Sequence, residues 1–78
     1  MGVIVDILTE AMSGANKTRI MYRANLNFLR FNVYLSEMMS SGLLMREKNG
    51  NGQVVYKTTE AGVALLEMLY KAKELIAI

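Results

Sequence analysis

The chain has 78 residues, 53% of them hydrophobic, with 9 basic and 7 acidic side chains and no histidine, cysteine or proline. This length allows one domain, predicted to span residues 1–78, and so small a domain buries only about 60% of its unfolded surface. The composition excludes a thiol nucleophile, an imidazole base, disulfides and a soft-metal site, so we expect a binding protein without metal or cofactor rather than an enzyme. Charge is uneven, because residues 1–12 carry −2, residues 13–57 carry +5 and residues 58–78 carry −1.

The first predicted element is a helix over Val3–Met12. Its apolar residues recur at helical spacing on one face, namely Ile4, Ile7, Leu8 and Ala11. Asp6 and Glu10 fall on the opposite face, which we expect to be solvated, and Gly14 suits the end of the helix.

A second helix is predicted over Lys17–Ala24, with Asn16 as its N-cap. Its buried side is expected to consist of Ile20 and Ala24, with either Met21 or Tyr22 beside them. Residues 25–27 then form a tight turn, and Asn27 caps a third helix that continues to Ser40 and is ended by Gly42. The apolar face of the third helix is predicted to contain Phe28, Phe31, Leu35 and either Met38 or Met39.

The next segment is predicted to be a β-hairpin. Leu43–Lys48 and Val54–Thr58 are suited to strands, and two Asn-Gly dipeptides between them are a strong hairpin signal. The first strand is expected to place Leu43 and Met45 on one face and Arg46 and Lys48 on the other. Thr58 or Thr59 can then cap a final helix from Glu60 to about Ile76.

This order of elements predicts an α+β, mainly α, winged helix-turn-helix fold, in which two helices joined by a tight turn precede a two-stranded wing and a C-terminal helix. The helix over residues 27–40 would then enter the major groove of DNA. Arg30 there can bind guanine, and either Asn27 or Asn32 can bind adenine. Leu29 and Val33 suit either thymine methyl groups or a protein surface.

Cations on the second helix and on the hairpin suit phosphate groups. Lys17, Arg19 and Arg23 lie on one short helix with no acid between residues 11 and 36, so a bound anion would relieve their mutual repulsion. The alternative is that this repulsion is small and that solvation by water is enough to offset it. The hairpin cations can contact phosphate, or they can simply prevent edge-to-edge aggregation. The predicted DNA-binding residues are Lys17, Arg19, Arg23, Asn27, Arg30, Val33, Arg46, Lys48, Asn49, Asn51 and Lys57.

The C-terminal helix, residues 60–78, is predicted to form a homodimer interface. Its apolar coverage is too wide for one buried stripe. One apolar series at 4-3-4 spacing consists of Leu65, Leu69, Ala72 and Ile76, and further apolar residues widen it, namely Leu66, Met68, Leu75 and Ile78. The predicted interface residues are Leu65, Leu69, Ala72, Leu75 and Ile76. A helix of this length, roughly 25 Å at ~1.5 Å per residue, should project beyond so small a body.

Several short segments of the chain together form a recognisable pattern. They are Lys17-Thr18-Arg19-Ile20-Met21-Tyr22, Ala24-Asn25-Leu26, Tyr34-Leu35, Gly42-Leu43-Leu44, Tyr56 and Thr59-Glu60-Ala61-Gly62. This pattern resembles the archaeal winged helix-turn-helix family that includes the small ten-kilodalton chromatin-type DNA-binding proteins. The resemblance covers about residues 3–70 and places Lys17 and Arg19 in the family's basic string. It implies archaeal origin, non-catalytic DNA binding and homodimers built on an extended C-terminal helix. This chain departs by stopping at Ile78, where those proteins continue into a longer coiled coil.

The sequence therefore predicts a homodimer that binds double-stranded DNA as a transcriptional regulator or a chromatin-associated protein. The alternative is a winged helix that serves as a protein-interaction module without intrinsic DNA binding. The longest uncharged runs have eight residues, far short of the ~20 that cross a membrane. No basic segment precedes the first apolar stretch, so we expect a cytoplasmic, nucleoid-associated protein.

Overall fold

The computed structural model describes residues 2–76, which form four helices and a two-stranded antiparallel sheet. In chain order the elements are α1 (Val3–Glu10), α2 (Lys17–Ala24), α3 (Phe28–Ser40), β1 (Leu44–Lys48), β2 (Val54–Thr58) and α4 (Glu60–Ile76). This architecture confirms the predicted mainly helical winged-helix fold. The contribution predicted for Ile78, and the part of the C-terminal helix predicted beyond Ile76, lie outside the described residues.

Two asparagine caps set the geometry of the helix-turn-helix. The Asn16 Oδ1 accepts a hydrogen bond from the backbone N–H of Arg19 at 2.8 Å, and the Asn27 Oδ1 accepts one from the N–H of Arg30 at 2.9 Å. Between them Asn25 adopts a left-handed conformation, with φ 55°, that asparagine tolerates better than most residues. The two caps and the turn therefore begin α2 and α3 at the predicted residues.

One hydrophobic core joins the helices to the base of the hairpin. Ile7, Leu8, Ile20 and Phe31 are its largest fully buried side chains. The remaining buried apolar residues are Val5, Ala11, Ala15, Ala24, Leu35, Met38, Leu44, Tyr56 and Leu66. Met21 packs against this core whereas Tyr22 is 83% exposed, so Met21 is the residue that completes the buried side of α2. On α3, Met38 is buried more deeply than Met39.

Three predictions about the helices were wrong in detail. The first helix ends at Glu10 rather than Met12, and Ile4 lies at the surface while Val5 is buried. Val5 is buried because α1 packs against both α2 and α4, and two neighbours cover a wider face than a single apolar stripe. Phe28 is 59% exposed because it begins α3 at the edge of the body, where the Lys17 ammonium lies 5.6 Å from the centre of its ring.

The hairpin β1–β2, here called the wing, has a register that agrees with the predicted separation of Met45 from Arg46 and Lys48. Its first strand begins at Leu44 rather than at the predicted Leu43. Leu44 pairs with Thr58, and both are buried where the wing joins the body. Because side chains alternate along a strand, Arg46 and Lys48 extend from the same face as buried Leu44, whereas Met45 extends from the other face and is 44% exposed.

A short third segment, not predicted from the sequence, extends the sheet. Ala15 exchanges two backbone hydrogen bonds with Tyr56, of 3.0 and 2.8 Å. These bonds tie the loop before α2 to the second strand of the wing. The wing is therefore held against the start of α2. The face of the wing that contains Arg46 and Tyr56, called its inner face below, lies next to that helix.

Helix α4 crosses the core at its first turns and then leaves it. The Thr59 hydroxyl donates to the Gly42 carbonyl at 2.6 Å and accepts from the Gly62 N–H at 3.1 Å, so Thr59 caps α4. From residue 70 to residue 76 every side chain is exposed, which agrees with the projection predicted and with a body of 45 × 26 × 19 Å. Within residues 2–76, no helix combines the length and the apolar character that crossing a membrane demands.

Candidate nucleic-acid interface

The cations of α2 divide between two sides of the helix. Lys17 lies beside the first residue of α3, whereas Arg19 and Arg23 point toward α1. A separation of two residues places side chains about 200° apart around a helix, because each residue turns the helix by about 100°. The anion site predicted from three α2 cations therefore does not assemble as one cluster.

Acids of α1 neutralise the two arginines. The Glu10 carboxylate accepts hydrogen bonds from Arg19 at 2.7 Å and from Arg23 at 3.5 Å, and Asp6 lies 3.9 Å from Arg23. The prediction that Asp6 and Glu10 form a merely solvated face was wrong, because packing of α1 on α2 brings them to cations that are distant in sequence. Arg19 and Arg23 thus already have anionic partners within the chain.

Helix α3 presents an outer surface that is more apolar than charged. Leu29 is 77% exposed and Val33 is 63% exposed, and they lie four residues apart on one face. Arg30 is exposed beside them and forms no ion pair with another described residue. Asn27, predicted to bind a base, uses one lone pair of its Oδ1 to cap α3.

The wing places its cations on opposite faces. Arg46 is paired with Tyr56 and shares its face with Lys48, whereas Lys57 is paired with Met45 on the other face. Asn49 accepts backbone hydrogen bonds from Asn51 at 2.9 Å and from Gln53 at 3.0 Å, so its side-chain oxygen shapes the tip. Asn51 is exposed at that tip and its side chain is not needed for the turn.

An open groove runs between the start of α2 and the inner face of the wing. It is lined by Asn16, Lys17, Thr18, Arg46, Gln53, Val54 and Tyr56, and is called the α2–wing groove below. Lys17 and Arg46 lie about 30 residues apart in sequence, and both line this groove. No acidic side chain is among the lining residues. Thr18 and Gln53 were not identified from the sequence, because neither belongs to a charge pattern and only the folded wing brings them together.

The predicted dimer residues fall into two groups. Leu65 and Leu69 are half-buried against the core of their own chain, whereas Ala72, Leu75 and Ile76 are exposed on the projecting part of α4. Met68 is also exposed, at 68%, although it was not among the predicted interface residues. Met68 and Leu75 are seven residues apart, which is the spacing of equivalent positions in a coiled coil, and this spacing could have identified Met68 as an interface residue.

The described residues hold no group of three or more acids, histidines or cysteines arranged to bind a metal ion. The candidate interface contains amines, guanidinium groups and apolar side chains. These groups can neutralise and contact a polyanion.

Comparison with known proteins agrees with the fold and its elements. The family model of the winged helix-turn-helix matches residues 1–77, and the chain belongs to that family. An uncharacterised protein of Methanocaldococcus jannaschii is 35% identical over 75 residues, which make up 95% of this chain and 72% of that protein. The crystal structure of Sso10a-2, a DNA-binding protein from Sulfolobus solfataricus, has a TM-score of 0.66 at 26% identity, covering 96% of this chain and 88% of its own. The predicted resemblance to archaeal winged-helix proteins is confirmed.

Proposed function

We propose that the protein binds double-stranded DNA through α3 and the wing, and that it acts as a transcriptional regulator or a chromatin-associated protein in the cytoplasm. The observation that carries this proposal is the acid-free α2–wing groove, which Lys17 and Arg46 both line and where Lys17 also lies beside the first residue of α3. The DNA-binding neighbour Sso10a-2 shares the fold and supports the same assignment.

The proposed contacts differ in part from those predicted from the sequence. Phosphate groups are assigned to Lys17, Arg46, Lys48 and Asn51, which share the groove or the adjoining wing face and tip. Base edges are assigned to exposed Arg30 and to Val33 with its neighbour Leu29. Arg19, Arg23 and Lys57 are left out of the central contacts, and Asn27 and Asn49 support the site by holding α3 and the wing tip.

A gel shift with a random-sequence duplex tests the proposal directly. Because binding to phosphates releases counterions, we expect a complex at micromolar protein in about 50 mM salt that weakens steeply as salt is raised. Absence of any complex under these conditions would contradict DNA binding. Selection from the same random pool then distinguishes the two roles, since a regulator should enrich a sequence more strongly than a chromatin protein does.

The second candidate function is that of a protein-interaction module. It is favoured by one observation, the exposure of Leu29 and Val33 on a helix that carries a single basic side chain. A module of this kind would bind no duplex in the gel shift. The acid-free groove beside α3 has no role in such a module, which is why DNA binding is preferred.

We further propose that the protein forms a homodimer through the projecting part of α4. Leu65, Met68, Ala72 and Leu75 follow 3-4-3 spacing along one seam, and the last three are exposed in the single chain. Such a seam matches the two apolar positions of a heptad in a coiled coil. Leu69 packs mainly against the core of its own chain and therefore lies outside the seam.

Light scattering provides the test of this dimer. We expect about twice the mass of the 8.7-kDa chain, and we expect Leu75→Lys to yield a monomer because a charge in the seam loses its hydration. Tyr70→Lys, a change at a partly exposed position on the opposite side of α4, should leave the dimer intact. A wild-type mass of one chain at about 100 μM would exclude a dimer of useful affinity.

A further inference from the structure

The outer face of α3 contains an apolar ridge where a DNA-reading helix usually carries polar side chains. Leu29 and Val33 are 77% and 63% exposed and lie one helical turn apart, and neither packs against the core. We propose that Leu29 and Val33 recognise the C5-methyl groups of thymine in the major groove, so that the protein prefers thymine-containing sites. This inference rests on the proposed DNA binding and specifies which chemical group of the DNA the helix reads.

The charges around the ridge favour nucleic acid over an apolar protein partner. Arg30 is exposed on the same helix, and the Lys17 ammonium lies 5.6 Å from the ring centre of Phe28 at its start. Arg46 continues this series across the α2–wing groove. Exposed Glu37 follows Val33 by one helical turn, so the cations border the ridge at its N-terminal end. There the ridge is complementary to a surface that offers methyl groups between two rows of phosphates, which is the major groove of DNA.

The chemistry of the base edges explains why the preference should be for thymine. Among the four bases only thymine presents a methyl group in the major groove, whereas cytosine and adenine present amino donors there. Leucine and valine cannot accept hydrogen bonds from those donors, so pressing the ridge against them would leave buried donors unsatisfied. Side chains at i and i+4 are about 5–6 Å apart, which allows contact with thymines at neighbouring steps.

The expected size of the effect follows from the burial of one methyl group, which changes a binding constant about fourfold. Two such contacts should therefore change the affinity by about fifteenfold. The probe is one random-sequence duplex pool amplified once with thymidine triphosphate and once with deoxyuridine triphosphate, because uracil pairs like thymine but lacks the methyl group. Because not every site in a random pool offers both thymines, we expect the thymine pool to bind about tenfold more tightly than the uracil pool at equal salt.

A double variant connects this preference to the ridge. Leu29→Ala with Val33→Ala should bind both pools with the affinity that the wild type has for the uracil pool. Met12→Ala, a change at an exposed apolar residue in the loop after α1, should leave the tenfold preference unchanged.

Three outcomes would overturn the inference. Equal wild-type affinity for the thymine and uracil pools would exclude methyl recognition while leaving DNA binding intact. A preference retained by the double alanine variant would exclude the ridge as its origin. Failure of the wild type to bind either pool would contradict the proposed function and the inference together.

Discussion

Replacing Lys17, Arg46 and Lys48 together by alanine should lower the affinity for duplex DNA by about a hundredfold at low salt. Lys17 and Arg46 line one acid-free groove, and Lys48 extends from the same wing face as Arg46. Each phosphate contact contributes about 0.9 to the slope of log affinity against log salt. The triple variant should therefore also bind with a slope shallower by about 2.7, measurable by fluorescence anisotropy across a salt titration.

The chain offers a control with an equal change of charge. Replacing Arg19, Arg23 and Lys57 by alanine also removes three positive charges, but Arg19 and Arg23 are paired with Glu10 and Lys57 lies on the other wing face. We expect this variant to lose less than about fivefold in affinity and to keep most of the salt slope, because it loses long-range attraction rather than contacts. Equal losses in the two triple variants would show that net charge alone drives binding and would contradict the assigned site.

The largest expected effect on stability comes from Gly62→Ala. A Cβ atom at residue 62 would lie 2.3 Å from the Leu43 carbonyl oxygen and 2.6 Å from the Thr58 Cγ2, closer than atoms can approach. The first of these neighbours is backbone, so relief requires α4 to move away from the wing. Such overpacking costs about 3 kcal/mol even after the roughly 1 kcal/mol that alanine gains over glycine within a helix.

Urea unfolding followed by circular dichroism measures this loss of stability. A chain of this length has a free energy of unfolding of about 4–12 kcal/mol, so a loss of 3 kcal/mol should move the midpoint markedly. The matched control is Gly50→Ala at the wing tip, where no atom lies within 4 Å of the added Cβ, and it should change stability by less than about 0.5 kcal/mol. A Gly62→Ala protein as stable as the control variant would show that α4 does not approach the wing so closely.

Two hydrogen bonds near Gly62 connect the residues at the base of the wing to each other and to α1. The Thr58 hydroxyl donates to the Leu8 carbonyl at 2.7 Å, and the Thr59 N–H donates to the Leu43 carbonyl at 3.1 Å. The Thr59-Glu60-Ala61-Gly62 segment that resembles the family thus has a physical basis. Threonine caps α4, and glycine lets the first turn of α4 lie directly against backbone.

Local sequence signals were sufficient for most secondary-structure elements. The bounds of α2 and of the second strand of the wing agree with the prediction, because cap residues and Asn-Gly turns act over three or four positions. The start of the first strand differs from the prediction by one residue. It begins at Leu44 rather than Leu43, because two leucines in succession do not show where strand pairing starts.

The candidate site was predictable in composition but not in arrangement. Lys17, Arg30 and Arg46 were identified from residue type and topology, and the structure leaves all three outside ion pairs among the described residues. Arg19 and Arg23 were grouped with them because no acid lies near them in sequence. Glu10 reaches both only because α1 packs on α2, a contact that no local pattern specifies.

The sequence by itself determined that this is a small domain with four helices and a wing, since length, caps, periodicity and turn residues are local properties of the chain. It also determined that the middle of the chain is basic. Only the tertiary structure decided which of those cations remain available, because pairing depends on distances between elements. The same packing left Leu69 half-buried and Met68 and Leu75 exposed on α4, and it placed Lys17 and Arg46 in one groove.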